Sequence, residues 1–143
     1  FVNEDVDRVA ALPNSGVIDL AQLHGGEGPE YIASLRRLTA RPLIQAVQVR
    51  TAADLTLAEA SAADHILLDS GAGSGTAFDW TLLRQVKRPY FLAGGLDPDN
   101  VGAAVEGLRP WAVDVSSGIE TDGGKDPAKM AAFVAAVRKD DRT

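Results

Sequence analysis

At 143 residues, with 45% hydrophobic and 24% charged side chains, the chain has the make-up of one ordinary globular domain, long enough to bury a core without covalent staples. The absence of cysteine excludes a disulfide framework, a cysteine zinc site and a thiol nucleophile within this sequence. Fourteen basic against twenty acidic residues give a net charge of −6, and the Lys and Arg are scattered, so no nucleic-acid partner is expected. No apolar run approaches a membrane span and no leader-type segment opens the chain, so a cytoplasmic protein without a membrane partner is expected.

Taken in order, the chain alternates β-prone and helical stretches. Phe1-Val2-Asn3 is apolar and β-prone from the first residue, as though the sequence opened within a strand. Ile18 to Leu23 predicts a strand, and Pro29 to Leu38 a helix with Tyr31, Leu35 and Leu38 on one stripe. Leu43 to Val49 is the next strand, followed by a helix over Ala52 to Ala60 with Ala53, Leu57 and Ala60 on one face. His65 to Leu68 is a strand ending at Asp69, and Asp79 is placed to cap a helix through Val86 with Trp80 and Leu83 inward. Tyr90 to Ala93 is a strand, and Pro98 to Gly107 a helix with Asp97 at its N-cap and Gly107 just past its end. Trp111 to Val115 is a strand. Asp126 and Pro127 then start a last helix with Met130, Phe133, Val134 and Val137 as its apolar stripe and Arg138 and Lys139 at its C-terminal end.

Strand starts at about 1, 18, 43, 65, 90 and 112, with helices between them, are the pattern of consecutive βα units in a parallel sheet. A doubly wound open sheet and a (β/α)8 barrel both fit that pattern. A barrel needs eight units and roughly 200 to 250 residues, so the six units here read either as a barrel lacking its first quarter or as a complete six-stranded open sheet. Residues 1–143 are expected to form a single α/β domain.

In either architecture the chemistry belongs at the C-terminal ends of the strands. Polar and glycine residues gather there: Gln22-Leu23-His24-Gly25, Leu68-Asp69-Ser70, Ala93-Gly94-Gly95-Leu96 and Asp114-Val115-Ser116-Ser117-Gly118. The opposite ends, Arg41-Pro42 and Arg88-Pro89, are plain. Gly94-Gly95 and Ser116-Ser117-Gly118, with a short helix starting near Gly118, offer open backbone N–H groups to a phosphate; turn glycines and a cap are the blander alternative. Asp69 emerges from a buried strand and suits a general acid, the alternative being a cap for the glycine-rich loop that follows. That loop, Gly71-Ala72-Gly73-Ser74-Gly75, lacks the strand and helix spacing of a dinucleotide fingerprint and is expected to be an active-site loop. Asp114 either orders the phosphate loop or acts in catalysis. His24 either binds substrate or serves as a satisfied strand-end histidine, and His65, at the inert end, is expected to be structural. Two distant histidines make no metal site.

Phe1-Val2-Asn3, Gln22-Leu23-His24-Gly25, Leu68-Asp69-Ser70, Phe78-Asp79-Trp80, Ala93-Gly94-Gly95-Leu96, Asp114-Val115-Ser116-Ser117-Gly118 with Glu120, and Gly124-Lys125-Asp126 together resemble the phosphoribosylanthranilate isomerase family of tryptophan biosynthesis, in order along the chain. The resemblance implies a TIM (β/α)8 barrel represented by its strands three to eight. It implies a cofactor-free Amadori rearrangement of N-(5-phosphoribosyl)anthranilate to 1-(2-carboxyphenylamino)-1-deoxyribulose 5-phosphate. Asp69 would be the general acid, and Gly94, Gly95, Ser117 and Gly118 the phosphate loops. Gln22, His24, Asp114 and Ser116 would complete the substrate pocket. The family's base, a cysteine after the first strand, and an arginine after the second have no counterpart here. Two departures stand out, Ala72 in place of a glycine and Gln45 in place of the usual lysine of the fifth strand, which would alter loop dynamics or substrate contacts. The isolated chain is therefore expected to be inactive or impaired, and to self-associate or take up a complementing N-terminal segment. A non-catalytic phosphate-binding fragment and another phosphosugar barrel enzyme remain the alternatives.

Overall fold

The computed structural model describes residues 1–71 and 80–139. Helix α1 (Val6–Asn14) begins where the Asp5 carboxylate accepts from the Asp7 and Arg8 N–H groups. Then follow β1 (Ala21–Leu23), α2 (Pro29–Leu38), β2 (Leu43–Gln48), α3 (Ala52–Glu59) and β3 (His65–Asp69). A short 3₁₀ turn at Leu82–Gln85 leads to β4 (Tyr90–Ala93), α4 (Val101–Leu108) and β5 (Ala112–Val113). A second 3₁₀ turn (Ser117–Ile119), the strands β6 (Glu120–Thr121) and β7 (Gly124–Lys125), and α5 (Pro127–Arg138) complete the chain.

The strands β1 to β5 lie side by side in chain order, every pair parallel. That order decides between the two architectures. A doubly wound sheet reverses direction at a switch point, whereas here each crossover steps the same way, as in a barrel wall. The pleat then sorts the side chains. Ile66, Leu68 and Leu92 pack with Leu55, Leu83, Val101 and Ala104 on the helix side, while Ile44, Ala46, Leu67 and Ala93 form a smaller cluster on the other face. A third cluster joins α1 and α2 to β1 through Val9, Leu23, Ile32 and Leu35.

Several expected elements are corrected. Phe1 to Asn3 is not a strand, although its backbone bonds to β1 in strand fashion, Phe1 N to Gln22 O at 2.7 Å and His24 N to Phe1 O at 2.8 Å. The strands expected from Ile18 and Trp111 shorten to Ala21–Leu23 and Ala112–Val113. Helix α4 starts at Val101 because the Asp97 carboxylate closes a turn on the Asp99 and Asn100 N–H groups, at 2.8 and 2.9 Å, before the helix begins. Gly107 lies inside that helix, and Arg109, at φ 49°, takes the left-handed cap position instead. The helix expected from Asp79 is a 3₁₀ turn; Asp79 itself, with Phe78 and the loop from Ala72, lies outside the described residues. The helix faces also turn. In α3 Leu55 and Ala58 are buried and Leu57 is exposed; in α5 Phe133 is buried while Met130 and Val134 are exposed. The hairpin of β6 and β7 is an addition.

Candidate functional site

The sheet's one-way winding brings the ends of β3, β4 and β5 together. His24, Gln48, Asp69, Gly71, the Ala93 to Leu96 turn and Asp114 to Ser117 line one cleft of about 400 Å³. Asp69 closes β3, its neighbours Leu67 and Leu68 buried, and keeps its carboxylate half-buried at the cleft. One oxygen accepts the Gly71 N–H at 2.8 Å and the other lies 3.5 Å from His24 Nε2. The acid is thus aimed from both sides.

Beside it the β4 turn holds Gly94 at φ 91° and Gly95 at φ 62°. A Cβ on Gly94 would fall 2.5 Å from Asp69 Oδ1 and 2.6 Å from Ser70 Oγ, so only glycine lets this turn lie against the acid. Ser70, itself buried, donates to Gly94 O at 2.8 Å and ties the two strand ends. The Ser117–Ile119 turn follows β5, and Gly118 sits so tightly under the β4 loop that a Cβ would lie 1.8 Å from Leu96 O. Lys125 reaches back from β7 to donate to Ser116 O at 2.9 Å while pairing with Glu120 at 2.6 Å, bracing the same turn. The result is open backbone beside a carboxylate, the arrangement that suits an anion bound next to a proton donor.

Most of the expected site residues meet here. Asp69, His24, Gly94, Gly95, Asp114, Ser116 and Ser117 line the cleft. Gly118 supports it from below and faces a shallower groove with Asp97 and Lys129. Gln22 shares the sheet face but does not line the cleft. Gln45 is a correction. Its side chain lies on the helix side, donating to Glu27 O at 2.9 Å and accepting from Ser61, so it faces away from the cleft. Gln48, three residues on and on the opposite face with Ile44 and Ala46, is the β2 residue that reaches the cleft. The pleat alternation of β2 could have found it, given the face of Ile44 and Ala46. His65 is structural as expected, stacked on Trp111 with ring centroids 5.0 Å apart at the other end of β3. Among the described residues no group of three His, Cys, Asp or Glu side chains converges as a metal site, and no helix is long and apolar enough to cross a membrane.

The consecutive parallel strands, with their chemistry confined to one end, are those of a partial (β/α)8 barrel. Residues 1–136 match the family described as N-(5'-phosphoribosyl)anthranilate isomerase. An enzyme of that name from Endomicrobium trichonymphae is 43% identical over 96% of this chain and 70% of its own length. The solved phosphoribosyl anthranilate isomerase of Thermotoga maritima superposes with a TM-score of 0.80 at 34% identity, over 97% of this chain and 71% of that one. A further solved isomerase, in complex with reduced 1-(o-carboxyphenylamino)-1-deoxyribulose 5-phosphate, superposes with a TM-score of 0.78 at 33% identity, over 97% of this chain and 69% of its own. The chain belongs to the N-(5'-phosphoribosyl)anthranilate isomerase family and spans about 70% of these relatives' length.

Proposed function

We propose that this chain carries the acid and phosphate-binding half of an isomerase that converts N-(5'-phosphoribosyl)anthranilate to 1-(2-carboxyphenylamino)-1-deoxyribulose 5-phosphate, a cytoplasmic step of tryptophan synthesis. The observation that carries this reading is the placement of Asp69 against the Gly94 turn, within one cleft that also holds Gly95, Ser116 and Ser117. The substrate phosphate would sit on the N–H groups of Gly95, Ser117 and Gly118, which fixes the ribose above Asp69. Asp69 then donates its proton to the furanose ring oxygen as the C1–O bond breaks, and the anilino nitrogen lone pair forms the C1=N bond of a Schiff base. A base removes the C2 proton, the C2 electrons form the C1=C2 bond and the C=N pair returns to nitrogen. Tautomerisation of the resulting enol gives the ketose. His24, 3.5 Å from Asp69, and Asp114 frame the reacting end, with Ser116 beside the phosphate and Gln22 on the same face of β1, set back from the cleft. The sequence has no cysteine to serve as the base its relatives' family implies.

Residues 1–143 would act as one partial barrel domain. The outer edge of β5, and the outer side of the Phe1 stretch that bonds to β1, carry no strand partner among the described residues. A second copy or a complementing N-terminal segment would cover those edges. The test is the fluorescence decay of phosphoribosylanthranilate with three proteins: this chain joined to the first quarter of a relative, the same fusion with Asp69→Asn, and this chain alone. Loss of the acid should cost about 10² to 10⁴ in rate, with the lone chain slower still. A fusion indifferent to Asp69→Asn would refute the assignment. Phosphate binding with no turnover in any form would favour a non-catalytic phosphate-binding fragment.

A further inference from the structure

Glu27 is a carboxylate the reaction does not use, yet it is only 5% exposed. Burying a charge costs free energy unless donors surround it. Here they come from two separate parts of the chain. One oxygen accepts the Asn3 N–H and the other the Gly25 N–H, both at 2.6 Å. Asn3, held at φ 49°, returns the tie by accepting the Gly26 N–H on its own side chain at 2.7 Å. The Glu27 carbonyl accepts from Gln45 of β2, so this one residue links the Phe1–Asn3 stretch, the turn after β1 and the second strand. His24 stands between these ties. Its own N–H bonds to Phe1 O at 2.8 Å, the next residue is clamped by Glu27, and its imidazole is left exposed at 3.5 Å from Asp69.

We propose that Glu27 is a positioning residue: its buried carboxylate locks the His24-Gly25 turn onto the Phe1–Asn3 stretch and thereby sets His24 against Asp69. An unheld His24 at a glycine turn would sample many directions; the charge-assisted bonds from the adjoining Gly25 N–H and from Asn3 across the turn restrict that freedom. The role assigned to the pair rests on the reading of Asp69 as the acid, but the placement of His24 does not.

The test uses this 143-residue chain, whose two histidines give a probe and an internal reference. In ring ¹H–¹⁵N spectra Asp69→Asn should displace the His24 signals and leave His65 unmoved. Glu27→Gln keeps the size but turns an NH₂ toward one of the two N–H donors. In that background the effect of Asp69→Asn on His24 should fall to about a third or less, the signature of lost coupling between the two side chains. Affinity for inorganic phosphate should stay within about threefold, since the cradle lies on β4 and β5. A generally structural role would shift His65 and phosphate affinity as well. Undiminished His24–Asp69 coupling in Glu27→Gln overturns the proposal, as does a His24 that ignores Asp69→Asn in the parent. Should Glu27→Gln not fold, Glu27→Asp, which keeps the charge on a shorter arm, decides in its place: reduced coupling supports the role, and intact coupling overturns it. The readout needs no turnover, so absence of isomerase activity would sink the functional reading and leave this one standing.

Discussion

Gly118→Ala perturbs the site at a point where every close neighbour is backbone and there is no clearance. The added methyl would lie 1.8 Å from Leu96 O, 2.8 Å from Leu96 C and 3.0 Å from Asp97 Cα. Ordinary carbon contacts begin near 3.5 Å, so one of the two turns must retreat by about 1.5 Å. No side chain can swing aside, because every atom in the way is main chain. Overpacking of this kind costs about 1 to 3 kcal/mol, and the rigidity of the contact places it toward the upper end. The retreat also carries the Ser117 and Gly118 N–H groups out of hydrogen-bond reach of an anion. Each charge-assisted bond lost is worth about 1.5 to 3 kcal/mol, so phosphate affinity should fall by about tenfold or more. Gly107→Ala is the control: nothing lies within 4 Å of its Cβ position and it sits inside α4. It should stabilise the chain by about 0.5 to 1 kcal/mol through helix propensity alone. Urea denaturation and calorimetric titration of phosphate measure both effects. A Gly118→Ala protein with the parent's midpoint and affinity would refute the packing argument and the anion site together.

Tyr90 is buried, its hydroxyl has no partner among the described residues, and burial holds the phenol above its usual pKa. Tyr90→Phe should leave stability unchanged or raise it by about 1 kcal/mol, and a denaturation midpoint clearly below the parent's would show a bond to that hydroxyl. Asp126, which starts α5, is held below the usual carboxylate range by the Thr121 hydroxyl and then by the Lys129 and Ala128 N–H groups. Its pKa is lower folded than unfolded, so its contribution is present above the unfolded value near 3.9 and lost as pH falls through the folded one. Asp126→Asn should therefore lower the melting temperature at pH 7, with the gap to the parent closing below about pH 4; a gap that persists there would mean the charge is not responsible. The edge of β5 and the outer side of the Phe1 stretch, open among the described residues, predict concentration-dependent self-association in sedimentation, and a monomer over the whole accessible concentration range would count against it.

Local chemistry made much of this molecule legible. The Pro29 start of α2, the Asp126-Pro127 start of α5 and the apolar runs of β2, β3 and β4 appear where composition and period place them, because each rests on contacts within a few residues. That Asp69 and Gly94-Gly95 would meet at one cleft was legible for a related reason: they close β3 and β4, and strand ends can be counted along a chain. What sequence could not settle are choices made by distant partners. Leu55 rather than Leu57 faces inward because α3 must lie on the sheet side formed by Ile66 and Leu68. Asn100 rather than Asp97 stands at the helix start because Asp97, held where the β4 loop packs on Gly118, closes a turn on the Asp99 and Asn100 N–H groups first. Gln48 reaches the cleft and Gln45 does not, a distinction set by the phase of the pleat against two neighbouring strands. Glu27 looks like a surface acid beside two glycines until Asn3, 24 residues away, comes back to meet it. A buried charge is tolerated only where its donors already converge, and that convergence exists only in three dimensions.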